Sequence, residues 1–369
     1  MKVAYLLELD LVNHLGVKKK VFSQVENLRR LGCEVEIFCI TPSKESDDNV
    51  KVFNSINISG EFGITSQLFR YLNRILVVKK LRKALSDYSP ELIYMREGVY
   101  YPGLNSILDK KNVVIEVNHV YGNIEKSKSK LLAFGFHFLR KKTLENASAF
   151  IAISNEVSTS LGKVFPSKPT IVISNGIAKI NKLTKLTKLS NNKINILMVG
   201  SPNQPWQGYD QLLNFAEELE FSHPKIHFTI IGPSSSELVA KSQNVRFCGY
   251  LDEKDLTEHF ISADIAIGTL AAYRKNINEV SSLKHRAYGS YGIPFITSVY
   301  DTDFSKLEEV LTIPNIDNSI IINKNIVIDF IISMAGKRID RKSLEGITEN
   351  NKSISRLSFF NSIVDRVGS

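Results

Sequence analysis

The sequence contains little cysteine and no long uncharged apolar segment. Only three cysteines occur in 369 residues, without short spacings between them and without a histidine cluster nearby. This pattern excludes a disulfide framework and a structural zinc site, and it indicates a reducing compartment. Charged residues interrupt the apolar runs well before the roughly 20 residues that cross a bilayer, and Glu8 and Asp10 end the first run before a signal-peptide core forms. We therefore expect any membrane contact to be peripheral.

Common nucleotide and hydrolase motifs are also missing. The first predicted strand does not lead into G-x-G-x-x-G, and the chain contains no G-x-x-x-x-G-K-[ST]. Neither a G-x-S-x-G nucleophile elbow nor an H-E-x-x-H helix occurs. These absences disfavour a dehydrogenase, a P-loop enzyme, a serine hydrolase and a zinc protease.

The apolar pattern predicts an α/β protein with two domains. A chain of 369 residues exceeds the usual size of a single hydrophobic core. In each half, apolar runs of strand length alternate with longer helical patterns, which is typical of parallel sheets covered by helices. We predict two Rossmann-like domains that face each other across a cleft, with residues 1–180 forming the first and residues 194–349 the second.

Two further segments join or extend these domains. Residues 181–193 are rich in lysine, contain no acidic residue and follow neither structural period, so they are predicted to form a linker. Residues 350–369 are predicted to form a helix that packs back on the first domain, by analogy with similar folds. The helical spacing of this segment is carried by Ile354, Leu357, Phe360 and Ile363.

The charge is distributed unevenly between the two halves. The net charge of +9 divides into +12 over residues 1–190 and −3 over residues 191–369, so the halves are expected to face different partners. Nucleic acid is one candidate for the basic half, but its basic residues alternate with aliphatic ones and no nucleic-acid motif occurs. We expect no specific nucleic-acid partner.

Two segments of the first half combine basic and apolar residues. Residues 62–86 contain no acidic residue, and residues 126–144 place three lysines before an apolar run and three basic residues after it. This combination predicts contact with an anionic membrane surface. A packed helix with solvated lysines explains the first segment equally well, because its basic residues are not confined to one face. They are Arg70, Arg74, Lys79, Lys80, Arg82 and Lys83.

Glycines and polar residues follow many of the predicted strands. Open parallel sheets bind ligands at the carboxyl ends of their strands, so these residues are candidates for a binding site. Each glycine taken singly is typical of an ordinary turn. The candidates are Gly16 at the start of the first helix, Glu116, Asn118 and His119 after the strand at 113–117, Asn175 after the strand at 170–174, and Gly200, Gly232 and Pro233 in the second half.

The stretch from 278 to 298 contains a local conflict. Ser281, Ser282 and Leu283 stand where a helix is predicted to begin, so backbone N–H groups and the positive end of the helix dipole are available to a phosphate. Lys284 falls in the first turn, where a cation is unfavourable unless an anion is bound beside it. The alternative is a surface lysine on a capped helix. The conflict indicates a functional site.

This stretch resembles the donor-site motif of the retaining glycosyltransferases of family 4, which have the two-domain GT-B fold. Further similarity lies in WQGYDQLL at 206–213, which includes Gln207 and Gly208, and in FCGYL, which includes Gly249. The set spans nearly the whole chain. The residues that carry the donor motif are Glu279, Ser282, Leu283, Lys284, Arg286, Tyr288, Gly292 and Pro294.

The resemblance implies a role for each candidate residue. Lys284 and the start of the helix hold the diphosphate of a nucleotide sugar, Glu279 binds the sugar hydroxyls, and no metal or other cofactor is needed. His119 is our candidate to contact the sugar or to guide the acceptor. The sequence departs from the family where a second glutamate is replaced by Ala287 and a basic residue by Gln207. We expect these departures to affect nucleotide affinity or base preference.

The function expected from this reading is transfer of a hexose from a nucleotide sugar. The acceptor is a lipid-linked or growing glycan in surface polysaccharide synthesis, and the protein works in the cytoplasm at the inner face of the cell membrane. Two alternatives stay open. One is a GT-B binding or assembly subunit with impaired catalysis, which Ala287 and Gln207 suggest. The other is a sugar-nucleotide epimerase of similar fold.

Overall fold

The computed structural model describes residues 1–10, 15–42, 49–56, 64–109, 111–121, 130–181 and 193–368. The chain divides into two compact units. The first comprises Met1–Ser174 together with Glu349–Ser369, and the second comprises Asn175–Thr348. The predicted linker at 181–193 lies, apart from its two end residues, outside the described residues.

A parallel sheet forms the centre of the first unit. Its strands pair in the order β3-β2-β1-β4-β5-β6-β7, which is the order of a doubly wound Rossmann sheet extended by one strand. The strands are β1 (Lys2–Glu8), β2 (Glu34–Ile40), β3 (Val50–Phe53), β4 (Leu92–Arg96), β5 (Asn112–Val117), β6 (Ala149–Ala152) and β7 (Thr170–Val172). Apolar side chains of β1 alternate between two core clusters, with Ala4 in one and Val3 and Tyr5 in the other, so both faces of the sheet are covered.

Helices of the first unit cover both faces of this sheet. In the first helix, Val21, Val25 and Leu28 are buried at a spacing of three to four residues, which produces one apolar stripe. Gly32, with φ +89°, ends this helix and lets Cys33 N donate to Leu28 O. The helices are α1 (Leu15–Arg30), α2 (Ile64–Tyr88), α3 (Leu104–Leu108), α4 (Lys130–Glu145) and α5 (Asn155–Val164).

The second unit repeats the same design. Its main sheet is parallel and has the order β10-β9-β8-β11-β13-β15, and a separate short sheet pairs β12 with β14. The strands are β8 (Ile194–Val199), β9 (Ile226–Ile231), β10 (Val245–Gly249), β11 (Ile265–Ile267), β12 (Glu279–Val280), β13 (Phe295–Thr297), β14 (Tyr300–Asp301) and β15 (Val310–Thr312). The helices are α6 (Tyr209–Ser222), α7 (Glu253–Ser262), α8 (Leu283–Ser290), α9 (Ser319–Ile322), α10 (Lys324–Met334) and α11 (Arg341–Leu344).

The second unit begins earlier than the predicted boundary at residue 181. Asn175 N donates to Ser281 Oγ at 2.7 Å, Ile177 N donates to Ile347 O, and Asn181 N donates to Ser290 O. These hydrogen bonds tie residues 175–181 to the second unit. The segment that the sequence assigned to the end of the first domain is therefore part of the second unit.

The last helix, α12 (Glu349–Gly368), belongs to the first unit. Phe360 and Ile363 are buried in one of its core clusters, as the apolar spacing predicts. Ile354 is 48% exposed. In the turns of α12 before Phe360, the buried side chains are those of Ser353 and Arg356. Arg356 Nη1 donates to Glu349 Oε1 at 2.8 Å and to Ser353 Oγ at 3.0 Å, so a polar network takes the place expected for an apolar residue.

Replacing Arg356 by alanine is expected to destabilise the first unit. The change removes one partner of a buried ion pair and leaves Glu349 uncompensated, which costs about 3–5 kcal/mol. Replacing the exposed Ile354 by alanine is expected to change the free energy of unfolding by less than about 0.5 kcal/mol. Denaturant unfolding of both variants checks the prediction, and equal effects would contradict the assignment of the buried face.

Candidate active site

Three glycines lie side by side at the carboxyl ends of β8, β9 and β10. Gly200 N donates to Ile231 O at 3.0 Å, and Gly232 N donates to Gly249 O at 2.8 Å. Gly232 has φ +113°, and a Cβ atom built there would lie 1.7 Å from Gly200 O. No side chain fits at this position, so glycine is required for the close approach of the two strand ends. Pro233, which follows, is buried.

The turn before α6 brings Gln207 against this backbone. Residues Pro205–Gln207 form one 3₁₀ turn, and Gly208 follows with φ +78°. A Cβ atom on Gly208 would lie 2.7 Å from Leu270 Cβ, so a larger residue would push the turn away. A Cβ atom on Gly200 would lie 3.2 Å from Gln207 Cδ. The sequence-predicted residues Gly200, Gln207 and Gly208 are therefore neighbours.

Lys284 reaches the same place from the first turn of α8. Its Nζ donates to Gln207 Oε1 at 2.6 Å and to Gly268 O at 2.8 Å. Ser282 precedes the helix, and its side chain makes no capping hydrogen bond. Leu283 is half-buried at the first helical position. The start of α8 and the amine of Lys284 thus lie together beside the glycines at the strand ends of the main sheet.

The charge of Lys284 is poorly compensated. Burial lowers the pKa of its amine from the ordinary value to about 7. In the part of the chain that the structure describes, no carboxylate lies within ion-pair distance of Nζ, and the hydrogen-bond acceptors named above are both neutral. Near neutral pH the amine is therefore partly uncharged, and an anion placed beside it would restore the charge.

Glu279 and Asn175 approach the start of α8 from other segments of the second unit. Glu279 is half-buried on β12, whose partner strand is β14. Asn175 donates from its backbone and its side chain to Ser281, the residue before Ser282. Arg286 is buried and donates to Asn175 O at 2.7 Å. This contact explains why Arg286, unlike Lys284, does not face the glycine ends.

In the first unit, the carboxylate of Glu116 lies in a buried polar network. It is 1% exposed, and it accepts hydrogen bonds from Lys20 Nζ at 2.6 Å, Tyr94 Oη at 2.6 Å and Gln24 Nε2 at 3.2 Å. Burial alone would raise the pKa of Glu116, but Lys20 and Arg96 hold it well below its usual value. Asn118 donates to the same carboxylate at 3.3 Å. The binding role predicted for Glu116 stays a prediction.

The other two candidates of the first unit are exposed. Gly16 is the second residue of α1. His119 follows β5, and its carbonyl oxygen accepts a hydrogen bond from Arg140 Nη2 at 2.7 Å. Arg140 also pairs with Glu97, so the loop that carries His119 is tied to α4. The roles of Gly16, Asn118 and His119 stay predictions.

No group of three or more His, Cys, Asp or Glu side chains among the described residues is arranged to hold a metal ion. None of the helices that these residues form combines the length and apolarity of a bilayer-spanning segment.

Comparison with known proteins gives the class of the fold. Sucrose-phosphate synthase from Thermosynechococcus elongatus is 13% identical, with a TM-score of 0.69 and coverage of 99% of this chain and 100% of that chain. A glycosyltransferase from Rickettsia africae is 15% identical, with a TM-score of 0.65 and coverage of 98% and 99%. UDP-GlcNAc 2-epimerase from Neisseria meningitidis, bound to UDP-GlcNAc, is 15% identical, with a TM-score of 0.58 and coverage of 98% and 100%. No curated protein matches the chain significantly.

The fold is therefore of the GT-B class, with two Rossmann-like units. Residues 16–179 match the family described as Glycosyltransferase Family 4, which supports a glycosyltransferase. The predictions of the fold class and of a glycosyltransferase are confirmed at this level. The matched stretch ends before the donor motif that begins at Glu279.

Proposed function

We propose that the protein is a hexosyltransferase that uses a nucleoside-diphosphate sugar. The acceptor is a lipid-linked or growing glycan in surface polysaccharide synthesis, and the transfer retains the anomeric configuration. The reaction uses no resident metal or cofactor. The protein works in the cytoplasm, at the inner face of the cell membrane.

The observation that carries this proposal is the position of the Lys284 amine. It lies at the start of α8, beside Gln207 and the carbonyl of Gly268, and its pKa is lowered because the amine is desolvated and has no carboxylate partner among the described residues. A diphosphate supplies the missing negative charge, and the free N–H groups at a helix start bind phosphate oxygens. The glycines at 200 and 232 let the strand ends and Gln207 pack closely together beside this amine.

The chemistry follows from where charge develops. When the bond between the sugar and the diphosphate breaks, negative charge collects on the departing diphosphate and positive charge on the anomeric carbon. Lys284 and the start of α8 stabilise the first of these charges. Glu279 accepts hydrogen bonds from the sugar hydroxyls and orients the donor. His119 is assigned to the acceptor side of the reaction.

Replacing Lys284 or Glu279 by alanine is expected to lower kcat/KM roughly 10- to 100-fold, because each change removes a charge-assisted hydrogen bond worth about 1.5–3 kcal/mol. The matched controls are Lys306→Ala and Glu308→Ala, two exposed residues of the same unit. Transfer from a panel of labelled nucleoside-diphosphate sugars to lipid-linked acceptors measures the effect. Unchanged rates in both site variants would refute the assigned roles.

A second candidate function is a binding or assembly subunit. Gln207 stands where a cation is expected and itself accepts a hydrogen bond from Lys284, and Ala287 lacks the second carboxylate of the donor motif. Hydrolysis or transfer of a nucleotide sugar by the purified chain would exclude this candidate. An epimerase, by contrast, would convert the donor with no acceptor present.

Membrane contact is proposed for α2 of the first unit. Leu68, Leu72 and Leu76 are 58%, 38% and 56% exposed and follow one another at intervals of four residues, so they form one stripe on the helix. The exposed residues Lys80 and Lys83 continue the same stripe. Apolar side chains with flanking lysines suit the surface of an anionic bilayer.

A second helix of the first unit has a similar composition. Phe136 and Phe138 of α4 are 60% and 57% exposed, and Lys141, one turn later, is exposed as well. The lysines that the sequence places before this helix, Lys126 and Lys128, lie outside the described residues. The proposed membrane contact therefore rests on α2 and on the described part of α4.

Changing Lys79, Lys80 and Lys83 together to glutamate is expected to weaken binding to anionic vesicles roughly 100-fold, because each lysine near the surface contributes about 1 kcal/mol. The matched control changes the exposed Lys254, Lys306 and Lys337 of the second unit to glutamate, with the same alteration in net charge. Cosedimentation with phosphatidylglycerol vesicles measures binding. Equal losses in both variants would show that net charge alone is responsible and would contradict a contact through α2.

A further inference from the structure

A fully buried carboxylate lies behind the start of α8. Asp301 is 0% exposed, and its Oδ2 accepts hydrogen bonds from His285 Nδ1 at 2.8 Å and Arg286 Nη1 at 2.5 Å. Its Oδ1 accepts from the backbone amides of Asp303 at 3.1 Å and Phe304 at 3.3 Å. Burial would raise the pKa of Asp301, but Arg286 and His285 lower it, so the group is anionic.

The donors to this carboxylate adjoin Lys284 in the chain. His285 and Arg286 follow Lys284 directly in the first turn of α8, so one anion fixes the rotation of that turn. His285 Nε2 has no hydrogen-bond partner among the described atoms, and it faces Gly268, where an added Cβ atom would lie 2.5 Å away. Gly268 is therefore contacted by His285 on one side, while its carbonyl oxygen accepts from Lys284.

The backbone around Asp301 supports the segment that carries Glu279. Strands β12 and β14 are parallel, with Glu279 opposite Tyr300 and Val280 opposite Asp301. Tyr300 N donates to Asn278 O at 3.2 Å, and Thr302 donates to Val280 O from its N at 3.0 Å and from its Oγ1 at 3.1 Å. The segment that carries Glu279 is thus held by the residues on either side of Asp301.

We propose that Asp301 is a positioning residue that sets the placement of Glu279 and Lys284 relative to each other. Its side chain orients the turn that carries Lys284, and its strand pairs with the strand that carries Glu279. Asp301 itself touches no reacting atom. The inference rests on the proposed function, since it assigns Asp301 a part in building the donor site.

The test compares Asp301→Asn with Asp303→Asn. In Asp301→Asn, the side-chain NH2 group faces other hydrogen-bond donors whichever way the amide is turned, because both carboxylate oxygens of Asp301 accept hydrogen bonds. Asp303 pairs with the outer nitrogen of Arg286, so its replacement leaves the carboxylate of Asp301 in place. A misplacement of about 1 Å at a reacting centre costs about 100-fold in rate, so we expect this loss of kcat in Asp301→Asn, and a loss below about threefold in Asp303→Asn.

A pH profile separates positioning from simple loss of stability. The affinity for uridine, guanosine or adenosine diphosphate is followed by the fluorescence of Trp206, the single tryptophan, which adjoins Gln207. In the wild type, the affinity is expected to fall as the pH rises above about 7, because the amine of Lys284 must then take up a proton to bind the anion. In Asp301→Asn, Lys284 leaves its buried position, its pKa rises toward the ordinary value, and this fall is expected to vanish between about pH 7 and pH 9.

The outcomes distinguish this inference from the proposed function. If the wild type binds none of the three nucleotides, the proposed function fails. If it binds them and Asp301→Asn keeps the wild-type turnover and pH profile, the positioning role of Asp301 is overturned.

A second pair of variants decides the question if Asp301→Asn does not fold. His285→Asn keeps a donor near the position of Nδ1, whereas His285→Leu removes it. We expect the wild-type pH profile in the first and a shifted profile in the second. Identical profiles in the two variants would overturn the inference.

Discussion

The partly buried amine of Lys284, which has no carboxylate partner among the described residues, is the constraint on which the proposed donor site depends. Its hydrogen bonds to Gln207 and Gly268 satisfy two of its donors but supply no negative charge. A cation held in this way is costly, because the desolvation of its charged form is not repaid by an ion pair. An anion that binds beside the amine during function would offset this desolvation cost.

In the first unit, buried charged side chains are paired with side chains of opposite charge. Lys20 and Glu116 lie 2.6 Å apart and are nearly fully buried, and tyrosine and glutamine side chains satisfy the remaining lone pairs. Arg356 and Glu349 form a second pair of this kind. Both pairs are neutralised within the unit. Lys284 differs from them because it has no carboxylate partner among the described residues, which is the basis of its proposed role in anion binding.

Much of the fold could be predicted from the sequence, because apolar runs mark all seven strands of the first main sheet and five of the six strands of the second, with only β15 missed there. The strands β12 and β14 were missed since each is two residues long and exists only through its pairing with the other, 21 positions away. Ile354 was assigned to the wrong face of α12, because a buried arginine network is not visible in apolar spacing.

The candidate site was predicted in part for similar reasons. The glycines at strand ends and the conflict at Lys284 are local signals, and the structure brings Gly200, Gln207 and Lys284 together. Asp301 carries no such signal, since its importance comes from partners 15 and 16 positions earlier in the chain.

The most direct test of the central claim is a crystal structure of the protein with a bound nucleoside diphosphate. We expect the diphosphate to lie against the first turn of α8, near Ser282, and Lys284 Nζ to contact its oxygens in place of Gln207 Oε1. A nucleotide bound elsewhere, or Lys284 still held by Gln207 beside an occupied site, would contradict the account.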